Sequence, residues 1–107
     1  MKISELCEKL SLVVVCGDTE REFDGVYVGD LLSRAMSHVK FDNLWLTIMA
    51  NTNVIAVASL TEVAAVILAE SVELMPEALE AARENDITVL VSDMTVYDLC
   101  VKINEVS

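Results

Sequence analysis

The alternation of apolar and polar positions divides the chain into short segments whose period switches between that of a helix and that of a strand. Ile3, Leu6, Cys7 and Leu10 recur at helical spacing, and Ser11-Leu12-Val13-Val14-Val15-Cys16 then turns into a β-branched run. A polar connection over Gly17–Glu22 leads into a short extended segment from Phe23 to Val28. Asp30 is placed to cap the next helix, whose face carries Leu31, Leu32, Ala35, Met36 and Val39. Leu44 to Met49 is the second strong strand, and Asn51-Thr52-Asn53 supplies cap-type residues for a helix through Leu60. Residues 51–63 could be strand by composition, but a helix supplies the crossover that two successive strands would otherwise lack. Ala64 to Ala69 predicts a strand buried on both faces. Pro76 suits a first helical position over residues 76–85, with Ala78, Leu79 and Ala82 inward. Thr88 to Val91 is a further strand, and Thr95-Val96-Tyr97-Asp98 reads as a capping box, with Asp in the Glu position, that opens a helix striped by Val96, Leu99, Cys100 and Ile103.

Strands alternating with helices of about ten residues predict βαβ units, and hence an α/β fold with a mostly parallel sheet covered by helices on both faces. The 107 residues make one typical domain, expected to run over 1–107 without linker or repeat. Apolar residues make up 54%, with three glycines and one proline, which excludes a disordered composition.

Charge narrows the partners. The formal net charge is -11, of which residues 1–61 carry -3 and residues 62–107 carry -8, with Arg83 and Lys102 the only bases in the second part. A chain this acidic, without a Lys/Arg cluster, repels nucleic acid and anionic lipid. The acid is expected either to keep an apolar domain in solution or to offer a docking face for a basic partner. Met1-Lys2-Ile3-Ser4-Glu5 leads straight into an amphipathic helix rather than a signal peptide, so the expected location is the cytoplasm. Residues 43–61 carry no charge, but Asn51-Thr52-Asn53 at their centre argues against a membrane span.

Candidate chemistry is sparse. Cys7, Cys16 and Cys100 have neither disulfide nor zinc spacing and are expected to be buried free thiols. No phosphate-binding loop, dinucleotide fingerprint, nucleophile elbow or zinc-protease motif occurs, and the single histidine, His38, sits at a helix end with no partner. Trp45 and Tyr97 suit core or interface positions. No catalytic residue, metal ligand or cofactor is expected. In a parallel sheet, ligands bind at the strand C-terminal edge. That rule selects Asn51, Thr52, Asn53, Glu70, Ser71, Ser92 and Asp93 as candidate ligand-binding residues, with Gly17 and Asp18 as possible additions. The same residue types serve equally as helix caps.

Two stretches carry a family resemblance: Gly25-Val26-Tyr27-Val28-Gly29-Asp30-Leu31-Leu32-Ser33 and Val54-Ile55-Ala56-Val57-Ala58-Ser59-Leu60-Thr61. The chain resembles DRTGG-domain proteins over nearly its whole length. These are similar to the non-catalytic N-terminal domain of bacterial HPr serine kinase/phosphorylase and to the corresponding domain of Mur ligases. Asn51-Thr52 stand where the family has Asp-Arg, and Ala69-Glu70-Ser71 where it has Thr-Gly-Gly. A basic residue and a flexible pair are thereby replaced by neutral groups and a carboxylate. The resemblance implies an accessory domain of the kind found beside catalytic or CBS modules: regulatory or ligand-sensing, homodimeric and acting through a partner enzyme. The alternative is an interaction module or assembly subunit without a small ligand. An HPr-kinase-like phosphotransferase ranks third, since the resemblance is to a domain that lacks the phosphate loop.

Overall fold

The computed structural model describes residues Met1–Ser107. Five helices and five strands follow in the order α1 (Ile3–Leu10), β1 (Val13–Cys16), β2 (Val26–Val28), α2 (Leu32–His38), β3 (Leu44–Thr47), α3 (Thr52–Thr61), β4 (Ala65–Leu68), α4 (Pro76–Glu84), β5 (Val89–Val91) and α5 (Val96–Val106). The strands form one sheet in the order β1-β5-β4-β3-β2. β2 to β5 run parallel, and β1 lies antiparallel against β5. The α/β class and the mostly parallel sheet expected from the sequence are both present, and residues 52–61 are helical.

The three crossovers from β2 to β5 all step in one direction across the sheet, so α2, α3 and α4 pack on one face. Their core joins Ala35, Val54, Ile55, Ala58, Ala78 and Ala82 to Trp45, Val66, Leu68 and Val89 of the strands. The opposite face is left to α1 and α5, whose Ile3, Leu6, Leu99 and Ile103 meet Leu44, Leu46, Ile67 and Leu90. β3 and β4 are therefore buried on both sides along their entire length. This is the environment that turns strands into continuous apolar runs.

Three local expectations are corrected. Gly17 and Asp18 do not reach the strand C-terminal edge: β1 runs against its neighbours, so its end lies beside the start of β5, where Thr88 Oγ1 donates to the Asp18 carbonyl at 2.8 Å. Gly17 has φ +99°, and a Cβ there would overlap Thr88, so the tight turn requires glycine. Asp30 does not cap α2. Leu31 takes the cap position without a side-chain bond, while Asp30 Oδ1 accepts from Thr47 Oγ1 at 2.7 Å and Ile48 N at 3.0 Å, fastening the β2–α2 loop to β3. Finally, only the Thr95 half of the expected capping box forms, with Asp98 N donating to Thr95 Oγ1 at 3.2 Å.

At the opposite, N-terminal edge, Arg21 does what the sequence reading left to a polar connection. Its guanidinium donates to Asp42 Oδ1 at 2.8 Å, the Val63 carbonyl at 3.0 Å and the Glu62 carbonyl at 2.8 Å, and lies 5.4 Å from the Phe41 ring centroid. One side chain thus ties the β1–β2 connection to the turns before β3 and β4. Arg21→Ala should lower the unfolding free energy by about 1–3 kcal/mol in urea titration, and Arg21→Lys should recover little of it, because an ammonium lacks the fork geometry. The three cysteines are free and half-buried, less enclosed than expected. Burial pushes the Cys7 and Cys16 thiols up from their ordinary range, only partly offset by backbone hydrogen bonds. Both should accordingly react slowly with a thiol reagent near pH 8, and faster as pH rises or as denaturant opens the core.

Candidate functional site

Parallel β3, β4 and β5 deliver the loops that follow them to one edge of the sheet, and backbone hydrogen bonds fuse those loops into a continuous surface. Ala69 N donates to the Thr47 carbonyl at 3.2 Å, Glu70 N to Met94 O at 2.9 Å, Ser71 N to Ser92 O at 3.0 Å, and Met75 N to Ala50 O at 3.0 Å. The β4–α4 loop is thereby held from both sides, by the β3–α3 loop and by the β5–α5 loop. Its chain reversal is made by Glu70 at φ 60° and Ser71 at φ 61°. Two successive left-handed non-glycine residues cost about 1–2 kcal/mol each. They stand where the resemblance sets the two glycines of the DRTGG motif.

The polar side chains at this edge separate into two groups. Asn51 caps α3, its side chain accepting from Val54 N at 3.3 Å, and Thr52 and Asn53 follow it as exposed residues of the first turn. Glu70 turns toward α5, where Oε2 accepts from Val96 N at 3.3 Å. The N-terminus of α5 thus already holds a carboxylate of its own chain, and its dipole is matched. Ser71 and Asp93 meet, with Ser71 Oγ donating to Asp93 Oδ1 at 2.7 Å, while the buried Ser92 Oγ accepts from Met94 N at 3.1 Å within its own loop.

Ser71, Ser92 and Asp93 border an open cleft of about 420 Å³, completed by Val15, Val72, Glu73, Leu74 and Val91. Four apolar side chains make one part of its wall, and two serines and two carboxylates make the other. No lysine or arginine lines it. Val15 reaches the cleft through a β-bulge: Val14 pairs with Leu90 and Cys16 with Val89, leaving Val15 as the extra residue. Val15 and Cys16 both pack toward the α2–α4 face as a result. The cleft therefore lies where the antiparallel strand meets the parallel set.

Of the seven sequence candidates, the cleft collects Ser71, Ser92 and Asp93. Asn51 and Glu70 act as caps, and Thr52 and Asn53 lie outside its lining. Sequence reasoning missed Val15, Val72, Glu73, Leu74 and Val91. Glu73 and Leu74 continue the Glu70-Ser71 loop and were within reach of the strand-edge rule, whereas Val15 depends on knowing that β1 lies beside β5. His38 is exposed at the end of α2, its Nδ1 3.0 Å from the Arg34 carbonyl and 2.9 Å from Ser37 Oγ. No three His, Cys, Asp or Glu side chains cluster to hold a metal, and no helix is long and apolar enough to cross a membrane.

No family model and no curated protein sequence matches the chain. Among solved structures it is similar to the CBS and DRTGG domains of the regulatory region of Clostridium perfringens pyrophosphatase, complexed with the activator diadenosine tetraphosphate. The TM-score is 0.78 and the sequence identity 19%, over 95% of this chain and 45% of that chain. At that identity the likeness shows that the two share a fold, with this chain spanning less than half the length of its neighbour.

Proposed function

We propose that this chain is a non-catalytic, DRTGG-type regulatory domain that senses a small ligand at the β4–β5 edge and acts through a partner enzyme in the cytoplasm. The observation that carries the reading is the cleft at the strand C-terminal edge, where Ser71, Ser92 and Asp93 meet four apolar side chains beside the left-handed Glu70-Ser71 turn. Single left-handed non-glycine residues also close turns at Ser11, Asp42, Glu62 and Asp86, but Glu70-Ser71 is the one place where two occur in succession, which persists only where surrounding structure over-determines it. Here the surroundings are the Met94 and Ser92 carbonyls, the Val96 amide and the Asp93 carboxylate. The regulatory setting of the pyrophosphatase region supports the same role, and the left-handed backbone at the motif's glycine positions supports the DRTGG assignment over residues 1–107. Kinship with the N-terminal domain of HPr serine kinase/phosphorylase is part of the proposal, and concerns descent rather than kinase activity.

The cleft's chemistry sets the ligand class. Glu73 and Asp93 would repel a polyphosphate, and no base in the lining offsets them. A neutral or positively charged molecule with an apolar body fits the valine and leucine wall and leaves Ser71, Ser92 and Asp93 to bond its polar end. This differs in charge from diadenosine tetraphosphate.

Non-denaturing mass spectrometry of the purified chain, followed by thermal-shift screening of amines, amino acids and nucleosides against nucleotides, identifies the ligand. Ser71→Ala and Asp93→Asn should each weaken it at least tenfold. Asn51→Ala should lower stability by about 1 kcal/mol through loss of the α3 cap while leaving affinity unchanged. A nucleotide polyphosphate bound as tightly by the Asp93→Asn variant as by the parent would overturn the reading. The purified protein should hydrolyse no ATP, since no residue set on it holds a transferring phosphoryl group. Turnover that tracks the protein peak through purification would reverse this.

A further inference from the structure

The crossovers leave one strand out. α2, α3 and α4 each bridge two neighbouring strands from β2 to β5, so the helical layer on that face stops at α4 and does not extend over β1. Val13 pairs with Val91 and Cys16 with Val89, which sets both on the α2–α4 face, and the bulge adds Val15 to them. Three of the four residues of β1 therefore look onto a place where the layer has no helix. Val13 is 61% exposed, and Val15 and Cys16 are half-buried. The apolar wall of the cleft continues into this strip through Val15 and the Val13–Val91 pair.

α4 borders the strip on its other side. Arg83 lies by Cys16: burial raises the pKa of that thiol, and the Arg83 charge takes back part of the rise. Helical spacing sets the half-buried Leu79 on the same flank of α4, one turn before Arg83. The strip is thus charged at both ends, with opposite signs. α4 starts at the strand C-terminal edge and returns to the N-terminal edge, so Glu73 and Asp93 stand at one end and Arg83 at the other. None of the three is in a salt bridge. Across the sheet, Val26 and Val28 of β2 are also exposed, at 42% and 45%, but the groove beside them carries no pair of opposite charges to set the direction of an occupant.

We infer that the uncovered face of β1 receives an amphipathic helix of another protein, apolar along one side, basic in its first turn and acidic in its last, lying beside α4 and running in the same direction. The helix rests on the regulatory reading only for its owner, the regulated enzyme.

The bulge selects a helix over a strand. The register jump between Val14 and Cys16 interrupts the β1 edge, so an added strand would meet a broken ladder. The same jump turns Val15 and Cys16 onto one face and widens the apolar strip that a helix needs. A helix directed as α4 is directed sets its N-terminal dipole and basic first turn on Glu73 and Asp93, and its acidic last turn on Arg83. A second copy of this chain does not supply such a helix. Each of the five helices already buries residues in its own core. α5, which exposes both Tyr97 and Val101, opens with Asp98, a like charge against Glu73 and Asp93.

Fluorescence anisotropy with synthetic helical peptides tests this. The first peptide is long enough to span α4, is acetylated and amidated, and carries leucines at i, i+3, i+4 and i+7, lysines in the first turn and glutamates in the last. Its twin has lysine and glutamate exchanged. The twin is the better helix in isolation, because its charges suit its own dipole, so a preference for the first peptide reports the surface. The parent chain should bind the first peptide at least tenfold tighter than the twin. Val13→Lys should weaken it at least tenfold, while Met36→Lys, an equal change of charge on exposed α2, leaves it unchanged. Arg83→Glu should bind a third peptide, with lysines in both end turns, at least tenfold tighter than the parent does. Val13 and Arg83 are exposed, and circular dichroism establishes that each variant is folded. Equal binding of the twins, a folded Val13→Lys that binds as the parent does, or an alternating, strand-forming peptide of the same composition that outcompetes the helix would each overturn the inference. So would sedimentation of the chain alone as a dimer that Val13→Lys dissociates, since a second copy would then occupy the strip. The peptides are read with the cleft empty of ligand, so failure here leaves the ligand tests of Ser71→Ala and Asp93→Asn standing, and their failure leaves this one.

Discussion

The constraint on which the architecture depends is that β3 and β4 must be kept from water on both faces. Leu44, Trp45, Leu46 and Thr47 are all buried, as are Ala65, Val66, Ile67 and Leu68. Truncating any one of the larger side chains to alanine costs about 2–5 kcal/mol, a large share of the stability of a domain this size. Covering both faces takes helices on both sides, and right-handed crossovers that all step the same way can supply only one side. The chain recruits its two terminal helices for the other. The loops at the strand C-terminal edge, the cleft beside β1 and the bare flank of β2 all follow from that arrangement.

Much of this was legible in the sequence because burial on two faces leaves a strong mark. Runs such as Leu44–Met49 and Ala64–Ala69 have little polar alternation, and the segments between them hold the periodicity and caps of helices. The direction of β1 left no such mark. A β-branched run reads the same whichever way it is laid down, and the reversal is visible only in the antiparallel pairing of β1 with β5. The misplacement of Gly17-Asp18 follows from that. The exposure of Val13 and Val14 has the same source, since an edge strand with open flanks can carry the composition of a buried one.

The candidate site was partly legible for a related reason. The rule that parallel strands present their following loops at one edge located Ser71, Ser92 and Asp93. It could not separate residues that line a cavity from residues that finish a helix. Asn51 and Glu70 illustrate the difficulty: each is a polar residue in the right loop, and each spends its side chain on a backbone amide. Which oxygen meets which amide depends on side-chain direction at a resolution that spacing does not reach. Asp30 shows the converse, a cap-type residue that bonds the neighbouring strand rather than its own helix.

At the positions where the resemblance sets glycines, Glu70 and Ser71 carry left-handed backbone but make two attachments that glycine could not make. The Glu70 carboxylate neutralises the start of α5, and the Ser71 hydroxyl anchors Asp93. A glycine pair would leave the loop free to move and the α5 amides free to take an anion from outside. With Glu70 in place, that anion is built into the chain, and the loop is tied to the element that follows β5. The Glu70–Val96 and Ser71–Asp93 bonds thus tie the β4–α4 loop that borders the cleft to the start of α5. Under the proposed sensing role, a ligand that competes for Asp93 or shifts Ser71 would pull on the same backbone that carries Glu70. The first turn of α5 is where such a displacement would be felt, with Tyr97 exposed immediately beside it.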